Sequence, residues 1–231
     1  MTSLPPPSVE HRISQPSVRI SSASGRVNLV AEDRADIDVR GDAAVSRIGD
    51  TTTITGDNSK LAVRVPTGID VIIGTTSGRV DVAGLVGAAA VTTDSGRIRI
   101  EPAASVDARS NSGRIEIDHC GQQCCLRSNS GAVAVGSCGA ADVATTNGRI
   151  SLGAVRGVAR AHCTSGRVDI TMAAANDVSA ETLSGRIDVS MPPGVRAFCT
   201  DLADGPVQRP DDVDCVVATH SVTGRIDVAN R

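Results

Sequence analysis

Two sets of side chains in this 231-residue chain have types and spacings that can do chemistry. The first is a column of arginines, Arg79, Arg97, Arg114, Arg149, Arg167, Arg186 and Arg225, separated by one or two multiples of about 18 residues. A row of guanidinium groups repels itself unless it is paired, and it attracts a polyanion or an acidic partner. Asp81, Glu116, Asp169, Asp188 and Asp227 follow two positions after arginines of this column. Residues two apart on an extended strand share a face. The plain reading is therefore a solvated ladder of arginine–carboxylate pairs that stabilises a sheet. The functional reading is an interaction surface built on the same arginines.

The second set is His119, Cys120, Cys124 and Cys138, with Cys125, His162 and Cys163 nearby. Thiolate and imidazole are the ligands zinc takes. These residues define the alternative reading, a metal- or redox-responsive binding protein. Two facts weigh against it. No Cys-x2-Cys pair is present, and the cysteines fall at repeat positions that hold small aliphatic residues elsewhere. Cysteine is there read as a small buried apolar residue, and no cofactor is expected. Cys120 and Cys138 are expected on adjacent coils, close enough for oxidation to link them.

Other chemistry finds no foothold. His11, His119, His162 and His220 are scattered, and no Ser-His-Asp spacing, P-loop or dinucleotide fingerprint occurs. The expectation is a protein that is not an enzyme. Composition narrows the rest. The chain has one Phe, no Trp and no Tyr, and a net charge of −3. Sugar-binding and single-strand nucleic-acid platforms that stack ligands on aromatic rings are excluded. An acidic chain also lacks the charge footprint of a DNA binder. No run approaches the roughly 18 apolar residues of a membrane span. Met1–Pro7 reads as a short extended tail without the features of a secretory signal. Seven cysteines without such a signal fit free thiols in a cytoplasmic protein.

The elements that position these side chains are written in a repeat. A block of small hydroxyl or Asn, Gly, Arg, then Val or Ile recurs at Ser24-Gly25-Arg26-Val27, Ser77-Gly78-Arg79-Val80 and Ser95-Gly96-Arg97-Ile98, and onward to Thr223-Gly224-Arg225-Ile226. From Gly78 to Gly185 the glycines are 18, 17, 18, 17, 18 and 19 residues apart. The longer gap before Gly224 holds a degenerate copy at Asp204-Gly205-Pro206-Val207. The 53 residues from Gly25 to Gly78 span about three periods in blurred register.

Aliphatics two and four residues after each glycine alternate with polar residues, which marks a strand with one buried face. A second strand precedes each glycine. Its inward columns are Ile73, Val91, Ala108, Leu126, Val143, Ala161 and Ala180, and then Val71, Ala89, Val106, Cys124, Ala141, Ala159 and Val178. Leu85, Ala103, Cys120, Cys138 and Val155 form a further inward column. Each unit is strand, turn, strand, turn, and cannot bury its own apolar face, whereas stacked units can. The fold class predicted is all-β: a single-domain β-solenoid of stacked two-strand coils of about 18 residues over 16–231, with a disordered Pro-rich tail over 1–15. A β-sandwich explains the alternation but not the constant period. The glycine suits a tight corner, and the Ser or Thr just before it is expected to form a hydroxyl ladder.

The chain resembles the adhesin-like β-strand-repeat family, a bacterial domain of unknown function. The resemblance rests on the Ser-Gly-Arg-Ile-x-Val blocks, on Val63-Arg64-Val65-Pro66-Thr67-Gly68-Ile69-Asp70-Val71, and on its echo Val189-Ser190-Met191-Pro192-Pro193-Gly194-Val195. It covers about 16–229. It implies a β-repeat architecture without a catalytic signature, and a surface location as in many relatives. The function expected is a structural or interaction protein. It would bind a protein partner or self-associate through its terminal coils, with Pro206–Asp214 placed to fold over one end. It would not bind nucleic acid or span a membrane.

Overall fold

The computed structural model describes residues 16–57, 60–202 and 210–230. The tail expected over 1–15 and the degenerate copy at 204–207 lie outside the described residues, as do residues 206–209 of the 206–214 insertion. The elements in chain order begin with β1 (Ser17–Glu32), β2 (Asp38–Arg40), β3 (Ala43–Ile48), β4 (Thr51–Gly56), β5 (Leu61–Pro66) and β6 (Asp70–Ala83). There follow β7 (Val86–Val155), β8 (Ala159–Met172), β9 (Val178–Met191), β10 (Ala197–Asp201) and β11 (Cys215–Asn230). The chain is a β-solenoid, with no α-helix among the described residues. β7 is one strand of 70 residues because the chain keeps extended geometry through corner after corner.

Stacking is parallel and in register, which excludes a sandwich of hairpins. Gly78 pairs with Gly96, Arg79 with Arg97 and Val80 with Ile98. Gly148 pairs with Gly166, Gly166 with Gly185, and Gly185 with Gly224. Like residues therefore lie on like residues along the stack. The columns two residues after and five residues before the glycines are buried from Gly78 through Gly185, for example Ile98, Ile115, Ile150, Ala108 and Leu126. One correction concerns the column before the corner turn. Leu85 is 52% exposed, and Val86 fills the core beside Ala103 instead.

The glycine column exists because the backbones meet there. A Cβ built on Gly166 would overlap the carbonyl oxygen of Gly148, and one on Gly148 would overlap that of Gly131. Gly166 also holds φ at +150°, a region side chains avoid. The hydroxyl ladder lies elsewhere than expected. Ser77, Ser95, Ser112 and Ser130, just before the glycines, are exposed. The buried hydroxyls are three residues before the glycines, at Thr75, Thr93, Ser110, Ser128, Thr145 and Thr182. Pairing passes from Thr75↔Thr93 directly to Ser77↔Ser95. Thr75 continues the inward alternation of Val71 and Ile73, which breaks at the exposed pair Thr76 and Ser77.

The N-terminal coils are stacked out of chain order. β1 pairs on one side with β4 and β5 and on the other with β6, all parallel. Gly25 sits directly on Gly78. The blurred three periods are thus one coil, 51–66, placed on the far side of β1, plus two capping strands. β3 lies antiparallel on β4 and β2 antiparallel on β5. That end of the stack is covered by strands 38–48. At the other end β10 pairs with the first half of β11, Cys215 to Thr219.

Candidate interaction surface

Each coil presents two outward faces, one from the strand after the glycine corner and one from the strand before it. The first carries the arginine column. Arg79 Nε pairs with Asp81 at 2.8 Å. Arg114 forms an ion pair with Glu116 at 2.6 Å, and Arg97 reaches the same carboxylate from the previous coil. Arg167 pairs with Asp169 at 2.7 Å and lies 3.1 Å from Asp188 Oδ2 as an ion pair without hydrogen-bond geometry. Arg186 pairs with Asp188 at 2.7 Å and approaches Asp227 at 3.8 Å. Pairing therefore runs along the stack as well as along each strand. Arg149 and Arg225 form no ion pair among the described residues. Arg149 borders a gap in the ladder, because the coil before it carries Ala132 and Ala134 and its own acid position is Ser151.

The pairing sets the acid behaviour of this face. The Arg186 hydrogen bond, then the charges of Arg186 and Arg167, hold the Asp188 carboxyl below the usual carboxylate range. A depressed carboxylate contributes stability that is whole above its unfolded pKa of about 3.9 and is lost as pH falls through the folded value. Asp188→Asn is expected to flatten the acid limb of a stability–pH curve below about pH 4 and to change neutral stability by about 1 kcal/mol or less. Thermal unfolding from pH 2 to 7 checks both. An unchanged acid limb counts against the pairing.

The cysteine–histidine set does not converge. Cys120, Cys124 and Cys138 are fully buried, whereas His119 is exposed and shares a 2.7 Å hydrogen bond with Ser137 Oγ. Consecutive strand residues point to opposite faces, so His119 and Cys120 cannot meet at one ion. Among the described residues, no group of three or more His, Cys, Asp or Glu side chains could hold a metal. The three thiols fill the core like the alanines and valines of neighbouring coils. The neighbouring Cys124 thiol draws Cys120 down, and Cys120 together with burial pushes Cys124 up. Burial pushes Cys138 up to about 11. All seven cysteines are free thiols, with Cys199 exposed and Cys125 half-buried. Titration with a thiol reagent is expected to show Cys199 reacting fast, Cys125 slower, and all seven only after unfolding. Two thiols missing from the unfolded count would reveal a disulfide.

The second face carries a feature that sequence reasoning missed. A shallow groove of about 480 Å³ runs across five successive coils just before their corners. Its floor is the inward hydroxyl column, Thr93, Ser110, Ser128 and Thr145. One wall includes Arg109, Arg127 and His162, and the other Asp94, Asn111 and Asn129. Arg109 is paired with Asp107 at 3.2 Å, Arg127 with Asp142 at 3.0 Å and His162 with Glu181 at 3.2 Å. Asn111 and Asn129 share an amide hydrogen bond of 3.1 Å. The available signal was the column two residues before the glycine, which is polar in all five coils.

The family described as Toastrack DUF4097 has a model that matches residues 13–203. No curated protein matches the chain. A crystal structure described as "a putative adhesin" from Bacteroides fragilis is 12% identical, with a TM-score of 0.42 over 94% of this chain and 92% of that one. One described as "a putative cell adhesion protein" from Clostridium sporogenes is 8% identical, with a TM-score of 0.33 over 94% and 93%.

Proposed function

We propose, from the premise that the chain belongs to the Toastrack DUF4097 family, that it is a non-enzymatic binding module whose regular outward columns are its working surface. The observation that supports this reading best is the register. Gly148, Gly166, Gly185 and Gly224 stack one on another, so every outward side chain is repeated at a fixed spacing of about 4.8 Å. A repeated, rigid, mutually paired surface suits recognition of an extended partner, because the side chains are already held in place. No helix among the described residues is long and apolar enough to cross a membrane.

The partner is a protein or surface component, or a second copy meeting a terminal coil. One observation favours the second copy: Ile226, in the core-facing column, is 39% exposed while its stack neighbour Ile187 is fully buried. Light scattering over a concentration series separates the two. Mass that rises with concentration, and stops rising in Ile226→Arg, is expected for end-to-end association. A fixed monomer mass assigns binding to the faces. The module reading itself is tested by retention of the labelled protein on host-cell fractions in competition with unlabelled protein. Saturable, competable retention is expected; retention that neither saturates nor competes overturns it.

A further inference from the structure

We infer that the groove before the corners binds an extended, uncharged, β-linked polysaccharide, laid along the stack with one sugar ring on each coil. The inference rests on the binding-module reading and adds a site and a ligand class to it. Three observations carry it.

The first is periodicity. Five coils repeat the same wall positions and four of them the same floor position, which at about 4.8 Å per step gives a track of roughly 19 Å. A polypeptide laid along it advances about 3.1 to 3.4 Å per residue, in polyproline or strand form, and falls out of step. A flat β-linked glycan advances by nearly one coil rise per ring and stays in step.

The second is charge. Arg109, Arg127 and His162 each face a carboxylate of the chain, Asp107, Asp142 and Glu181. Asp94 adds a further negative group on the opposite wall. The groove is rich in donors and acceptors without an excess of positive charge, so it does not select a polyanion. Alternating donors and acceptors are what sugar hydroxyls, each of which is both, can meet.

The third is exposed hydrogen-bonding capacity. Thr92, Asn111, Asn129 and Thr146 line the groove on four of the coils and are exposed. Their hydroxyls and amides repeat along the track and can each donate to and accept from a sugar hydroxyl, directly or through a bridging water. Without aromatic rings, each sugar contributes little, so affinity has to come from repetition along the track.

The test is calorimetric or NMR titration of the intact protein with cello- and xylo-oligosaccharides of two to six rings. Affinity is expected to climb with length up to four or five rings and then level. The Asn111→Ala/Asn129→Ala double variant, altered only at exposed side chains, is expected to lose at least tenfold while its unfolding midpoint stays put. Arg79→Gln, on the other face, is expected to bind like the parent. The inference is overturned by no binding at any length, by undiminished binding in the double variant, or by equal affinity for coiled α-linked malto-oligosaccharides. Tighter binding of polyuronate or of polyglutamate at the same residues overturns it too, by showing that charge or peptide recognition dominates. A null result with defined sugars leaves saturable retention on cell fractions untouched, so the two readings fail separately.

Discussion

Gly166→Ala is expected to lower the unfolding midpoint by roughly 10 °C. Two costs add. The φ of +150° is a region that alanine adopts only with strain, worth about 1–3 kcal/mol. The new Cβ also overlaps the Gly148 carbonyl oxygen, and overpacking of this kind costs about 1–3 kcal/mol. Neither neighbour can withdraw, because Gly148 is itself stacked on Gly131 and Gly185 on Gly166. At about 2–4 °C per kcal/mol for a domain of this size, the sum gives the stated shift. Gly74→Ala supplies the contrast. That glycine has no left-handed φ and nothing within 4 Å of a built Cβ. Its replacement should be neutral, or stabilising by about 0.4–1 kcal/mol through the unfolded chain. Equal effects at the two sites would refute the close-approach account.

Leu29→Pro should detach the whole N-terminal end of the stack rather than fray one strand. Leu29 is fully buried and pairs with Val63 on one side and Val82 on the other. Proline there removes a ladder donor from a central strand, at a cost of about 3 kcal/mol or more, and empties a leucine-sized space. In a stacked array each coil is stabilised mainly by its neighbours. Because β1 lies between the 51–66 coil and β6, its loss leaves β4, β5 and the capping strands β2 and β3 without support. Hydrogen exchange is expected to show lost protection from 17 through 66 while β8 and β9 keep theirs. A stack in chain order would predict fraying of 17–32 alone, and that outcome would refute the intercalated topology. Uniform loss of protection would indicate a single cooperative unit.

Much of this architecture is legible in the chain, for a reason that is physical. In a parallel, in-register stack every coil solves the same packing problem, so the same residue type returns at the same position. Ile98, Ile115 and Ile150 announce the core in this way, and the glycine column announces the corner. Arginine and its acid two residues on can be matched by eye because strand alternation alone places them together, as in Arg79 with Asp81.

What the repeat does not encode is whatever depends on where one piece of chain lies relative to another. The place of β1 is such a case: Gly25 falls on Gly78 although 53 residues separate them, and the 51–66 coil, which lacks the glycine block, is recognisable only from what it packs against. The cysteine set is another. Cys120, Cys124 and Cys138 look like ligands in a line of text, but His119 faces solvent while they face the core. The hydroxyl column lies three residues before the glycine and not one, because inward alternation runs through Thr75 and breaks at Thr76 and Ser77. Composition and period alone determined a thin-cored solenoid, paired arginines and a chain poor in aromatics. The tertiary structure alone decided the order of the first coils, the sharing of Glu116 and Asp188 between neighbours, and the groove across five coils. Local alternation is a property of each strand, whereas these three arise only where separate coils meet.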